Sequence, residues 1–187
     1  MSAVRLLVLG AVRRRGRVHG YQVRADLETW GAHEWSNATS GSVYHALKAM
    51  TEQGLLLVHE TTPSVAGGPP RMEYEVTEEG DQAYFSLLRA ALTSHDPRLD
   101  LLAAAVGLID DLSRAEALDL LRQRVEVMDR WRTSIAAHLP PDTDLDTWGP
   151  VGEVIRLWQH TAESRADWTQ RLIRRLEHGA YRMAGET

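Results

Sequence analysis

Apolar residues recur every three or four positions through the first fifty residues, then crowd into short runs, then return to helical spacing. Val4, Leu7, Val8 and Ala11 share one face of a helix predicted over about 3–15, with Ser2 as its cap and Gly16 as its stop. A second helix runs from Gly20 to Trp30 and buries Tyr21 or Val23 together with Leu27 and Trp30; Gly31 ends it. Asn37, Thr39 and Ser40 offer caps for a third helix reaching Gln53, with Val43, Leu47 and Met50 inward and Gly54 beyond. The period then changes. Leu55–Val58 and Met72–Val76 read as strands, and the Gly and Pro of Ser64–Pro70 supply the turn between them.

Thr77, Glu78 and Glu79 open a fourth helix carrying Tyr84, Leu87, Leu88 and Leu92. Pro97 starts a segment with Leu101, Leu102, Ala105 and Leu108. Ser113 and Glu116 form a capping box for a long helix to about His138. Its stripe is Leu118, Leu121, Val125, Met128, Trp131 or Arg132, Ile135 and Leu139, close to a heptad, and Pro140 and Pro141 break it. A last helix over about 150–178 shows Val151, Val154, Trp158, Ala162, Arg165, Trp168, Leu172 and Leu176. The fold class is therefore mainly α with a small β-hairpin. Residues 1–92 are expected to form a winged helix-turn-helix DNA-binding domain, and 93–187 a helical dimerisation and effector-binding domain.

A helix-turn-helix needs a second helix that turns polar and basic side chains towards a groove about 12 Å wide. The third helix has that form. Its apolar face leaves Ser40, Ser42, Tyr44, His45 and Lys48 outward, the hydroxyls able to donate to phosphates and Lys48 supplying charge. Its N-terminus itself attracts phosphate. The hairpin loop would be the wing, with Gly67 and Gly68 letting the main chain come close to DNA and Arg71 at its far edge.

Net charge changes the picture only once it is divided. The whole chain carries -5, which argues against nucleic acid, but residues 1–72 hold eight basic against five acidic residues, a net of +3. That leaves -8 on 73–187, so a basic front end precedes an acidic body. Arg13, Arg14, Arg15 and Arg17 read either as a phosphate cluster or as charges favouring a helix C-terminus. No cysteine is present, which excludes disulfides, thiolate metal sites and a cysteine nucleophile. The early apolar run at 6–12 is too short to cross a bilayer and is followed rather than preceded by arginines, so a cytoplasmic protein without a signal peptide is expected.

Enzymatic signatures are missing: the chain has no G-x-S-x-G, P-loop, G-x-G-x-x-G or H-E-x-x-H. Neither a cofactor nor a metal is expected. Asp142, Asp144, Asp146 and Glu153 mimic a calcium loop, but Thr147 stands where that loop needs glycine, so a solvated, helix-capping turn is the reading taken. Trp30 and Trp35 are assigned to the core of the reader. Trp131, Trp148, Trp158 and Trp168 suit a dimer interface, and Trp131 and Trp158 are the candidates for lining an effector pocket.

Five stretches together resemble the PadR family of bacterial regulators: L-L-V-L-G-A-V at 6–12, H-G-Y-Q-V at 19–23, S-G-S-V-Y-H-A-L-K at 40–48, E-Q-G-L-L at 52–56 and P-R-M-E-Y-E-V-T at 70–77. The resemblance implies a winged helix dimerised by C-terminal helices and often released from DNA by a small molecule, here in the larger subfamily. It places Tyr21, Ser42, Tyr44, Lys48 and Arg71 towards DNA. Arg17 departs from a usual proline, and Met72 from a basic residue commonly paired with the wing arginine. The function expected is a homodimeric repressor on a palindromic operator of double-stranded DNA, released by an apolar or aromatic ligand. The alternative is a winged helix that binds a protein partner instead.

Overall fold

The computed structural model describes residues 2–60, 72–96, 98–137 and 144–186, and divides into two compact units. The first comprises residues 1–91 and 98–108, the second 92–97 and 109–187. A boundary at 92/93 thus misplaces one element. Residues 98–108 join the first unit because Leu101, Leu102, Ala104, Ala105 and Leu108 are buried there, Leu108 against Gly10.

Helix α1 (Ala3–Arg15) is the centre of the first unit. Every residue from Ala3 to Val12 except Arg5 is buried, so it is apolar nearly all round rather than on a single face. Gly10 is what lets Leu108 and the Tyr84 ring approach it from one side. Ser2 occupies its N-cap without a side-chain bond, and Gly16 at φ +74° ends it. A two-residue strand β1 (Val18–His19) follows, then α2 (Gly20–Thr29), a single-turn α3 (Ala32–Trp35) and α4 (Ser40–Glu52). Strands β2 (Leu56–Glu60) and β3 (Met72–Val76) pair antiparallel, with Val58 opposite Tyr74, and β3 also pairs with β1, giving the order β1-β3-β2. Helix α5 (Glu78–Thr93) and α6 (Leu99–Gly107) complete the N-terminal half of the chain.

Neither β1 nor α3 announces itself in the sequence. Two residues carry no period, and one helical turn has too few positions to show one. Val23, not Tyr21, faces the core of α2. Trp30 is half-buried and Trp35 exposed; both line an open-sided cavity of about 300 Å³ with Leu7, Arg14, Ala103, Ala104, Gly107 and Leu108, instead of filling the core.

The second unit packs α7 (Arg114–Ala137) along α8 (Pro150–Glu177), with a short helical turn (Leu145–Trp148) before α8. Among the described side chains of α7, Ala117, Leu120, Leu121, Arg124 and Met128 are buried, so Leu118 and Val125 sit at the edge of the expected stripe. Arg114 staples the C-terminal tail: it donates to the carbonyls of Leu176, Ala180 and Tyr181 and pairs with Glu186 at 2.7 Å. Asp144 caps the short helical turn through the Asp146 N–H, and Asp146 and Glu153 both bind Arg156 at 2.5 Å. Those carboxylates are structural partners. Asp142, Leu139 and the wing residues Gly68 and Arg71 lie outside the described residues.

Candidate nucleic-acid interface

Helix α4 is held by three buried residues at steps of four and three, Val43, Leu47 and Met50, each wholly inaccessible. The flank next to that buried face carries Ser40, Tyr44 and Lys48 one turn apart, with His45 beyond them, all exposed. Thr39 caps the helix by accepting the Ser42 N–H at 3.2 Å. Ser42 differs from its neighbours. It is half-buried and directs its hydroxyl at the carbonyls of Asn37 (2.6 Å) and Thr39 (2.9 Å), so its proton is used within the turn and is not available to a phosphate.

Lys48 reaches Glu52 at 3.9 Å with both side chains well exposed, a contact too solvated to hold the ammonium. Tyr21, at the first turn of α2, is 51% exposed and stacks on His19 with ring centroids 5.4 Å apart and planes at 17°. His19 is itself fixed: its N–H donates to the Gln22 side chain at 3.1 Å, and its ring lies 3.4 Å from the Glu73 carboxylate on β3. Gly20 fits between these groups because it has no side chain. A β-carbon there would fall 2.9 Å from Tyr44 Cε1, 3.3 Å from Leu47 and 3.4 Å from Tyr74. Burial, and then the nearby Tyr44, raises the Tyr74 phenol above its ordinary pKa. Tyr44 and Tyr74 thus meet over Gly20 where β3, α2 and α4 come together.

Three of the arginines at and just beyond the C-terminal end of α1 are engaged within the protein. Arg13 pairs with Asp81 at 2.6 Å and lies over the Phe85 ring at 4.6 Å, while Arg15 makes a two-pronged pair with Asp26 at 2.5 Å. Arg17 meets the His59 ring at 3.0 Å and Glu75 at 3.8 Å across the sheet. Among the described residues no group of three or more His, Cys, Asp or Glu could hold a metal ion, and no helix is long and apolar enough to cross a membrane.

Three helices around a buried α1, followed by a hairpin whose strands extend into a small sheet, make the N-terminal unit a winged helix-turn-helix. Residues 8–85 of the 187 match the sequence model of the transcriptional regulator PadR-like family. Similar solved structures include Bacillus subtilis PadR in complex with operator DNA, 18% identical over 92% of this chain and 98% of that one, with a TM-score of 0.40. The same protein with p-coumaric acid is 19% identical over 94% and 99%, at 0.36. A PadR-like regulator from Bacillus cereus is 15% identical over 94% and 98%, at 0.37. No curated protein matches the chain.

Proposed function

We propose that this regulator is a homodimeric repressor that enters the major groove of a palindromic operator with α4 and is released by a small molecule. The face of α4 carries the proposal: Ser40, Tyr44, His45 and Lys48 are exposed while Val43, Leu47 and Met50 are buried. A helix so divided fits the groove, with hydroxyls and one ammonium for phosphates and a ring nitrogen for a base edge. In this reading Gly68 and Arg71 of the wing add a second hold on the backbone, and Ser42 serves by shaping the turn.

The second copy is argued from α8. Val151, Val154, Leu157, Trp158 and Trp168 are exposed, Leu157 by 61%, beside the buried Ile155, Ala162, Thr169, Leu172 and Leu176. So many large apolar side chains on one helix are what a partner covers. A two-fold axis then presents two copies of α4 to half-sites one DNA turn, about 34–36 Å, apart. A ligand taken among the C-terminal helices near Trp131 and Trp158 releases the operator by altering that separation.

The test of the reader is binding to DNA from the regulator's own promoter at several salt concentrations. Affinity should fall linearly in log salt with the slope of several displaced counterions. Binding that ignores salt, or no binding to any fragment of its own genome, would overturn the reading in favour of a protein partner. For the effector, a compound that releases DNA should quench tryptophan fluorescence, and Trp131→Phe and Trp158→Phe should blunt both effects. Undiminished potency in both, with loss in Trp30→Phe or Trp35→Phe, would move the site to the cavity of the N-terminal unit.

A further inference from the structure

His19 ends β1 and immediately precedes α2, and its side chain is only 19% exposed. Its Nδ1 lies 3.3 Å from the Met72 carbonyl oxygen, and its Nε2 lies 3.4 Å from Oε1 of Glu73. A carbonyl and a carboxylate only accept, so each contact needs a hydrogen on the ring nitrogen that faces it. A neutral imidazole carries one such hydrogen and the imidazolium carries two. The charged ring therefore completes both contacts, whereas the neutral ring turns a lone pair towards one of the oxygens. Tyr21 adds to this preference, because its ring stacks on His19 at 5.4 Å and a π face attracts a cation.

A second histidine in the same cross-strand row has the opposite surroundings. Glu73 of β3 stands opposite His19 on one side and opposite His59 of β2 on the other. His59 Nε2 donates to Glu75 at 2.7 Å, while the Arg17 guanidinium donates to His59 Nδ1 at 3.0 Å. One acceptor and one donor satisfy a neutral ring, and a proton on Nδ1 would meet the guanidinium. The charged and titratable groups around His19 are thus Glu73, Glu75, His59 and Arg17 from the sheet and Tyr21 from α2. With both rings neutral, the sheet groups hold one positive charge against two negative, and a proton on His19 brings them to balance. The position of His19 gives that proton a consequence. The ring links the exposed Tyr21 of α2 to Met72 and Glu73, which follow the wing's Arg71 in the chain.

We propose that His19, as the imidazolium, positions Tyr21 and the base of the wing on DNA, and that binding DNA draws the proton onto it. The inference rests on the reading of α4 and Tyr21 as the DNA face. Phosphates beside Tyr21 favour the charged ring, so binding takes up protons. Affinity then falls as pH rises through the range in which histidine changes charge, about pH 5 to 8. The fall is at most about tenfold per pH unit and subunit. The probe is DNA from the regulator's own promoter, titrated into the full-length protein at fixed salt across that range. Calorimetry in buffers of different ionisation enthalpy counts the protons taken up. His19→Gln should lose the pH dependence, and Glu73→Gln, which removes the carboxylate beside the charged ring, should move it to lower pH. His59→Gln should keep it. His45, exposed on α4, is the competing source of a proton; His45→Gln should weaken binding yet leave the pH dependence in place. Nitrogen NMR of the histidine rings reads the same proton in the unsubstituted protein. In the DNA complex His19 should carry hydrogen on both ring nitrogens at a pH where His59 carries it on one. A pH dependence that survives His19→Gln or vanishes with His45→Gln would overturn the proposal, as would a complex formed without proton uptake or with a neutral His19. No DNA binding at any pH would overturn the reading beneath it, and the inference with it.

Discussion

The α-carbon of Gly20 lies beneath the edge of the Tyr44 ring, so closely that a methyl group on it would sit 2.9 Å from Cε1. One residue of α2 therefore sets where an exposed side chain of α4 stands. Gly20→Ala should weaken operator binding by about tenfold, while overpacking against Leu47 costs about 1 kcal/mol of stability. The decisive comparison is made in a Tyr44→Ala background. If the ring is what the methyl displaces, adding Gly20→Ala there should cost no further affinity, and an unchanged penalty would locate the damage elsewhere.

Tyr44 and Lys48 are separable by salt. Lys48→Ala should weaken binding to all sequences alike and reduce the log–log salt slope by roughly one unit. Tyr44→Phe, which keeps the ring over Gly20, should cost about 1 kcal/mol if the hydroxyl bonds a phosphate. Unaltered operator binding by both folded variants would show that another face of α4 meets DNA.

Light scattering checks the partner proposed for α8. The protein should elute at twice its 21.0 kDa mass at micromolar concentration. A charge on the exposed apolar side, such as Leu157→Glu or Trp158→Glu, should shift it towards monomer and cost operator affinity as well. A wild-type monomer at that concentration would remove the dimer and with it the palindrome.

Acid should undock the C-terminal tail. The Arg114 bond, then the Met183 N–H, holds the Glu186 carboxyl below the usual carboxylate range. A carboxylate whose folded pKa is depressed stabilises above its unfolded pKa, and that contribution is lost as pH falls through the lower folded value. The Ala184 N–H, bound to the Leu112 carbonyl at 3.1 Å, reports on docking. Its hydrogen-exchange protection should be high at neutral pH and fall below pH 4.5, the ordinary value of an unpaired glutamate. Glu186→Gln should be less protected at neutral pH and less sensitive to acid.

What the sequence made legible follows from repetition. Helix α4 could be read face by face because Val43, Leu47 and Met50 recur at its period and the outward residues contrast with them. Strand β1 could not, since Val18 and His19 become a strand only through Tyr74 and Glu73, more than fifty residues later. Burial all round α1 was visible in hindsight in its unbroken apolar run, which a search for one face overlooks. Arg124 was hidden by its own chemistry: an arginine among leucines reads as a solvated interruption, and only packing by α8 takes it from water. Ser42 shows the converse, a hydroxyl at a plausible position whose proton is consumed by carbonyls that composition does not reveal.

Lys48 is the only lysine among 21 basic residues, and it stands exposed on α4. An acylating reagent that prefers amines therefore meets a single side-chain target in the whole molecule. Its modification can be followed as the mass increment of the peptide that carries it, apart from any at the α-amino group, and shielding of that one site by DNA becomes a footprint on the protein, read without any substitution. The same scarcity concentrates chemical control: one acyl group would erase the only side-chain ammonium of the chain, on α4, and leave the arginine pairs of the scaffold intact.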